Sequence, residues 1–133
     1  MEPYIDVTKL KRNSQLLIET VQTIYEIVVT GPKSCSISIH GGIRFIFPTK
    51  ARFQGSMHID TNSPHETDKS EEDLIPDIIK RNHSLQFFYK DKKGEHLLKT
   101  SPVLSGKIIS PDGSWKYDAI EREEKKDEDS NKA

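Results

Sequence analysis

Residues 15–30 read QLLIETVQTIYEIVVT, the most apolar stretch of the chain, and they admit two readings. Leu17, Val21, Ile24 and Val28 recur at steps of four, three and four, which is one face of a helix. Yet Ile18, Thr20, Val21, Thr23, Ile24, Ile27, Val28, Val29 and Thr30 are all β-branched. Such side chains lose χ1 freedom against a helical turn and fit a pleated surface. The segment ends at Gly31-Pro32, a turn signal.

The next thirty residues decide between the two. In SCSISIH, Cys35, Ile37 and Ile39 alternate with Ser34, Ser36, Ser38 and His40, the period of a half-buried strand. Ile43, Phe45 and Phe47 then alternate with Arg44 and Ile46. After Pro48-Thr49-Lys50, the residues Ala51, Phe53, Gly55, Met57 and Ile59 alternate with polar ones. A three-residue loop at His40-Gly41-Gly42 pairs Ile39 with Ile43, Ile37 with Phe45 and Cys35 with Phe47, and its glycines supply the positive φ such loops need. A second loop at Pro48 to Lys50 pairs Phe47 with Ala51 and Phe45 with Phe53. All the odd-numbered residues then share one core-facing side. Such a sheet needs a neighbour, and residues 15–30 are read as a long, bulged strand that provides it.

The second half continues in the same style. SLQFFYK is a strand with Leu85, Phe87 and Tyr89 on one face; DKKGE turns, HLLKT returns, VLSGKIIS is a further strand, and WKYDAI closes the domain with Trp115, Tyr117 and Ala119 on one side. LIPDIIKRN holds a proline among apolar residues and suits a short turn or an irregular crossing better than a central strand. The expected fold is all-β, a small antiparallel barrel or roll of about seven strands, since closure removes exposed sheet edges. Residues 1–14 form an N-terminal arm and residues 15–120 the domain. Residues 61–73 are an acidic loop, in which Glu66, Asp68, Glu71, Glu72 and Asp73 against Lys69 leave a net charge of -4. Residues 121–133 have no large apolar side chain and read as a disordered charged tail.

Ile18-Glu19-Thr20, Tyr25-Glu26-Ile27, Gly55-Ser56 and Thr100-Ser101-Pro102-Val103 form a pattern that resembles a group of short bacterial proteins of unknown function, over roughly residues 15–110. The resemblance implies a β-rich fold and no particular activity. The chain departs from that group in carrying the acidic loop where a glycine-rich strand is expected.

Composition narrows the function classes. The 133 residues suffice for one core. They are 33% hydrophobic and 31% charged, with mean hydropathy -0.68. A net charge of -1 offers no global basic excess for nucleic acid or anionic membrane. One cysteine, Cys35, allows neither an internal disulfide nor a cysteine zinc cage. The first 15 residues lack the apolar core of a secretory signal, and no run approaches the roughly 20 apolar residues of a membrane-spanning helix, so the expected setting is cytoplasmic.

No G-x-S-x-G, Walker loop or H-E-x-x-H occurs. Cys35 alternates with Ile37 and Ile39, which puts it on the core face as a small hydrophobe rather than a nucleophile. His58 and Asp60 share a strand face and His65 comes next, a weak metal-ligand set with no recognised third spacing; a polar strand face leading into a polar loop is the favoured reading, and no metal is expected. Residues 76–110 hold seven lysines and arginines against three acids. Lys80, Arg81, Phe88, Lys90, Lys92 and Lys93 could together hold single-stranded nucleic acid by stacking and phosphate contact. The plainer reading is lysines guarding a sheet edge, and the acidic loop and tail would repel a polyanion. The expectation is therefore a non-enzymatic module without a cofactor that binds a protein partner or forms a homo-oligomer, with nucleic acid as the alternative and no membrane.

Overall fold

A computed structural model describes residues 3–58 and 74–123. Asp60, His65, the acidic loop and residues 124–133 of the tail lie outside the described residues. Eleven strands succeed one another among those described: β1 (Tyr4–Asp6), β2 (Gln15–Thr20), β3 (Ile24–Gly31), β4 (Ser36–Gly41), β5 (Phe45–His58), β6 (Ile75–Pro76), β7 (Ile78–Lys80), β8 (His83–Asp91), β9 (Gly94–Lys99), β10 (Val103–Ile109) and β11 (Lys116–Ile120). Short 3-10 turns at Val7–Lys9 and Pro32–Ser34 interrupt them.

The fold is all-β and antiparallel. One large sheet runs in the order β11-β10-β2-β3-β4-β5-β8-β9, with β6 paired to β5, while β1 and β7 form a separate ribbon. No ladder joins β11 to β9 among the described residues, so the expected barrel closure is not found. The edges are guarded by other means. The β11 strand is five residues long and carries Lys116 and Asp118, while Glu95 and Lys99 point outward from β9.

The opening stretch is strand, as its β-branched content requires, but it is two strands rather than one. Val21 to Thr23 turn the chain back, and Leu16 pairs with Ile27 and Ile18 with Tyr25. The Thr20 hydroxyl donates to the Thr23 carbonyl at 2.8 Å and accepts from the Thr23 amide at 3.1 Å. From elsewhere in the chain, the Pro102 carbonyl accepts the Val21 amide at 3.0 Å and the Ser101 hydroxyl accepts the Gln22 amide at 2.9 Å. Leu16, Ile18, Thr20, Tyr25, Ile27 and Val29 are buried. Leu17, Val21, Ile24 and Val28, the stripe of the helical reading, are the half-buried and exposed ones. The hairpin is central, since β2 pairs with β10 on its other side and β3 with β4.

The β4–β5 hairpin corrects the expected register. Gly41 faces Phe45, so the turn is Gly42-Ile43-Arg44, and Ile39 faces Thr49 rather than Ile43. Ile37 faces Ala51, not Phe45, and Cys35 lies outside the ladder, so it does not pair with Phe47. No second hairpin forms at Pro48-Thr49-Lys50, because β5 runs through it. Between Phe45 and Thr49 this strand holds two more residues than its partner, a bulge where Pro48 forfeits no ladder bond. An insertion of two keeps the alternation in phase. Ile37, Ile39, Phe45 and Phe53 therefore face the core as expected, and Met57 is buried apart from the main cluster, whereas Ile43, Ile46 and Phe47 are exposed. A slip of one residue after Phe53, against β8, then turns Ser56 onto the face of Leu85.

The N-terminal arm docks. Ile5 pairs with Ile79 in the β1–β7 ribbon, and Ile5, Val7 and Ile79 are all in the core. LIPDIIKRN supplies two short strand pieces around Asp77, which takes φ 66. Leu85, Phe87 and Tyr89 are buried as expected; Trp115 and Tyr117 are exposed, and Ile120 closes the domain.

The residues that carry the resemblance act as fasteners. Val103 pairs with Thr20, and the Ser105 hydroxyl donates to Glu19 at 3.1 Å. The Thr100 hydroxyl accepts the Leu85 amide at 3.0 Å while the Ser84 hydroxyl donates to the Thr100 carbonyl at 2.6 Å, tying β8 to the chain entering β10. The Ser56 hydroxyl donates to the Ile78 carbonyl and accepts the Lys80 amide, and Gly55 (φ +151) lies so close to the Ile75 carbonyl that a Cβ would collide with it.

Two substitutions test this packing. Phe45→Ala is expected to cost about 3–5 kcal/mol in denaturant melts, the range for a fully buried phenylalanine; a loss below about 1 kcal/mol would contradict the core assignment. Gly55→Ala is expected to destabilise by about 1–3 kcal/mol through strained φ and the clash with β6. An unchanged melt would mean that β6 does not lie against β5.

Candidate functional site

The turns of two neighbouring hairpins meet at one end of the sheet. Gly41 (φ +143) makes this possible, because any Cβ there would stand 2.5 Å from the Ile24 carbonyl oxygen. The chain can thus bring the 42–44 turn against the 21–23 turn, and Glu19 to Ile24 with Gly42 and Ile43 line one open cleft. Three aliphatic side chains crown it: Val21 at 60% exposure, Ile24 at 56% and Ile43 at 91%. Ile46 and Phe47 lie just beyond at the bulge of β5, also exposed. Next to the crown, the Arg44 guanidinium donates to the Tyr89 hydroxyl at 3.0 Å, and the Tyr89 ring meets Phe45 edge-on at 5.1 Å, which ties this end to the core.

The basic and aromatic residues singled out in the sequence are only partly brought together. Phe88 is half-buried on the outer face of β8, opposite Phe87, and pairs with Arg52 on β5 and Leu97 on β9. Arg52, Phe88 and Leu97 thus form a row across three strands, with exposed Lys50, Lys90 and Lys99 around it. Lys92 and Lys93 sit at the β8–β9 turn. Lys80 and Arg81 lie at the opposite end of β8, about 25 Å away at the usual strand rise. There the Arg81 guanidinium is engaged, donating to the Glu121 carbonyl at 2.8 Å. Sequence reasoning misses Arg52, Lys50 and Leu97 because only the register reveals that they flank Phe88.

Cys35 is 3% exposed and takes φ 57 at the end of the Pro32–Ser34 turn. Its thiol donates to Asp77 at 3.2 Å. Burial above all, then the bond to Asp77 and the Asp77 charge, push its pKa up to about 12. A thiol so protonated is a poor nucleophile at neutral pH. Of the weak metal set, His58 stands exposed at the end of β5, while Asp60 and His65 are outside the described residues. Among the described residues, no three histidine, cysteine or acidic side chains converge as a metal cage. No helix among them is long and apolar enough to cross a membrane.

The thiol offers a direct check. Cys35 in the folded protein is expected to resist iodoacetamide at pH 7.5 for hours and to react within minutes once unfolded; rapid labelling of the folded chain would show an open site there. As to kinship, no family model, no curated protein and no solved structure matches the chain.

Proposed function

We propose that the chain is a non-enzymatic interaction module of a bacterial cytoplasm, which binds protein through the crown of Val21, Ile24 and Ile43. The supporting observation is the clustering of these three exposed aliphatic side chains at one end of a rigid sheet. Single exposed apolar residues are ordinary, but a contiguous group marks a surface meant for covering. The glycine that packs the two turns together holds the group in place, so little ordering cost remains on binding. A second copy of the chain is the occupant to test first, because the same crown on two copies gives a self-complementary apolar contact.

A second reading, binding of single-stranded nucleic acid, has one observation in its favour: the row Arg52, Phe88, Leu97 with Lys50, Lys90 and Lys99 around it. Stacking on Phe88 and phosphate contacts from the lysines would carry it. The same lysines also serve as guards near the β9 edge.

Sedimentation at about 10 and 300 µM separates these readings. The expected result is a mass that rises with concentration in the wild type and stays monomeric in Ile43→Asp, with an unchanged melting temperature. A wild type that is monomeric at both concentrations, yet binds a labelled oligonucleotide with an affinity that falls steeply from 50 to 200 mM salt and is lost in Phe88→Ala, would replace the first reading by the second.

A further inference from the structure

The ladder between β5 and β8 ends in a pair that neither strand reveals alone: His58 faces His83 as a direct cross-strand partner. Their rings stand 5.4 Å apart between centroids, inclined at 58°. Two imidazoles bound to one ion, each with its nitrogen about 2.0–2.1 Å from the metal, have centroids roughly 5 Å apart, so the two rings are already close to chelating distance.

The surroundings prepare one of them further. The His83 Nδ1 lies 3.0 Å from the Arg81 carbonyl oxygen. A carbonyl carries no proton, so Nδ1 is the donor, and in the neutral ring the lone pair is left on Nε2. A histidine whose one nitrogen donates to a backbone carbonyl while the other stays bare is the usual state of a metal ligand, with orientation and tautomer both fixed. The backbones beneath are rigid: Met57 pairs with Ser84 and Ser56 with Leu85 just inside, and all four are buried. His58 is exposed and His83 half-buried, so an ion can reach the pair from solvent.

We propose that His58 and His83 form a two-imidazole site for a divalent transition ion of the zinc, nickel or copper kind, with water completing the coordination. Imidazole selects these ions over magnesium and calcium, which take oxygen ligands. The ion would clip β5 to β8 at the last rung of their ladder. The other described histidines are otherwise engaged: His96 Nε2 sits 2.8 Å from Asp91 and its ring stacks on Tyr89, while His40 lies 3.5 Å from Glu26.

The test uses the full chain at pH 7.5 with Zn2+ as probe and Mg2+ as control, monitored through the ring nitrogens of all five histidines by long-range proton–nitrogen correlation. The expected result is that the His58 and His83 rings shift together and saturate at one Zn2+ per chain, that Mg2+ leaves them unmoved, and that the melting temperature rises with Zn2+ by mass action. His58→Gln and His83→Gln should each weaken Zn2+ binding about tenfold or more. Shifts confined to His40, His65 or His96, or full affinity in His83→Gln, would overturn the proposal. The wild-type spectra decide without any variant, so a folding defect in either substitution cannot blur the outcome.

Discussion

One turn, clasped by a threonine hydroxyl, stands at the middle of the sheet. Thr20 both donates to and accepts from the backbone of Thr23, and this closes the turn that folds the most apolar run of the chain onto itself. Unfolded into a single strand, the run would need about 50 Å of sheet to cover it, more than a domain of this size can offer. Folded, it becomes two neighbouring strands at the middle of the main sheet, with β10 beyond β2 and β4 beyond β3. The Ser101 hydroxyl and the Pro102 carbonyl brace the same turn from the chain entering β10, so the hairpin and its outer neighbour are fixed together. The same turn places Val21 and Ile24 at the sheet end, beside Ile43.

The fold class and most of the core are legible in the sequence because they rest on period two. Ile37, Ile39, Phe45 and Phe53 face inward although their partners differ from the expected ones, since the bulge before Thr49 adds an even number of residues and leaves the faces in phase. The turn at Val21-Gln22-Thr23 is not legible. It contains no glycine, proline, asparagine or aspartate, and two of its bonds come from residues near position 100. Pro48 misleads in the opposite sense: it resembles a turn former and sits in a bulge of a continuous strand. Trp115 and Tyr117 alternate like core residues, yet they lie at a short edge strand that nothing covers among the described residues.

The surface is harder to read, because sites on a sheet are assembled across strands. The basic residues that cluster along the sequence divide between the two ends of β8, while Arg52 and Leu97, far apart in the chain, meet at Phe88. His58 faces His83 across the ladder between β5 and β8, a partner 25 positions away in the chain. Cys35 is buried as its alternation suggests, but the left-handed turn after Pro32–Ser34 rather than a strand position turns it inward, and burial then suppresses its thiolate.

The hairpin at Val21 to Thr23 governs the whole strand order, and cross-strand proton NOEs measure it directly. The structure predicts contacts from Ile18 to Tyr25 on one side and from Ile18 to Gly106 on the other, because these residues are Cα partners in adjacent ladders. Contacts at spacings of three and four through Leu17, Val21 and Ile24, or an Ile18 without any contact to Tyr25, would contradict it.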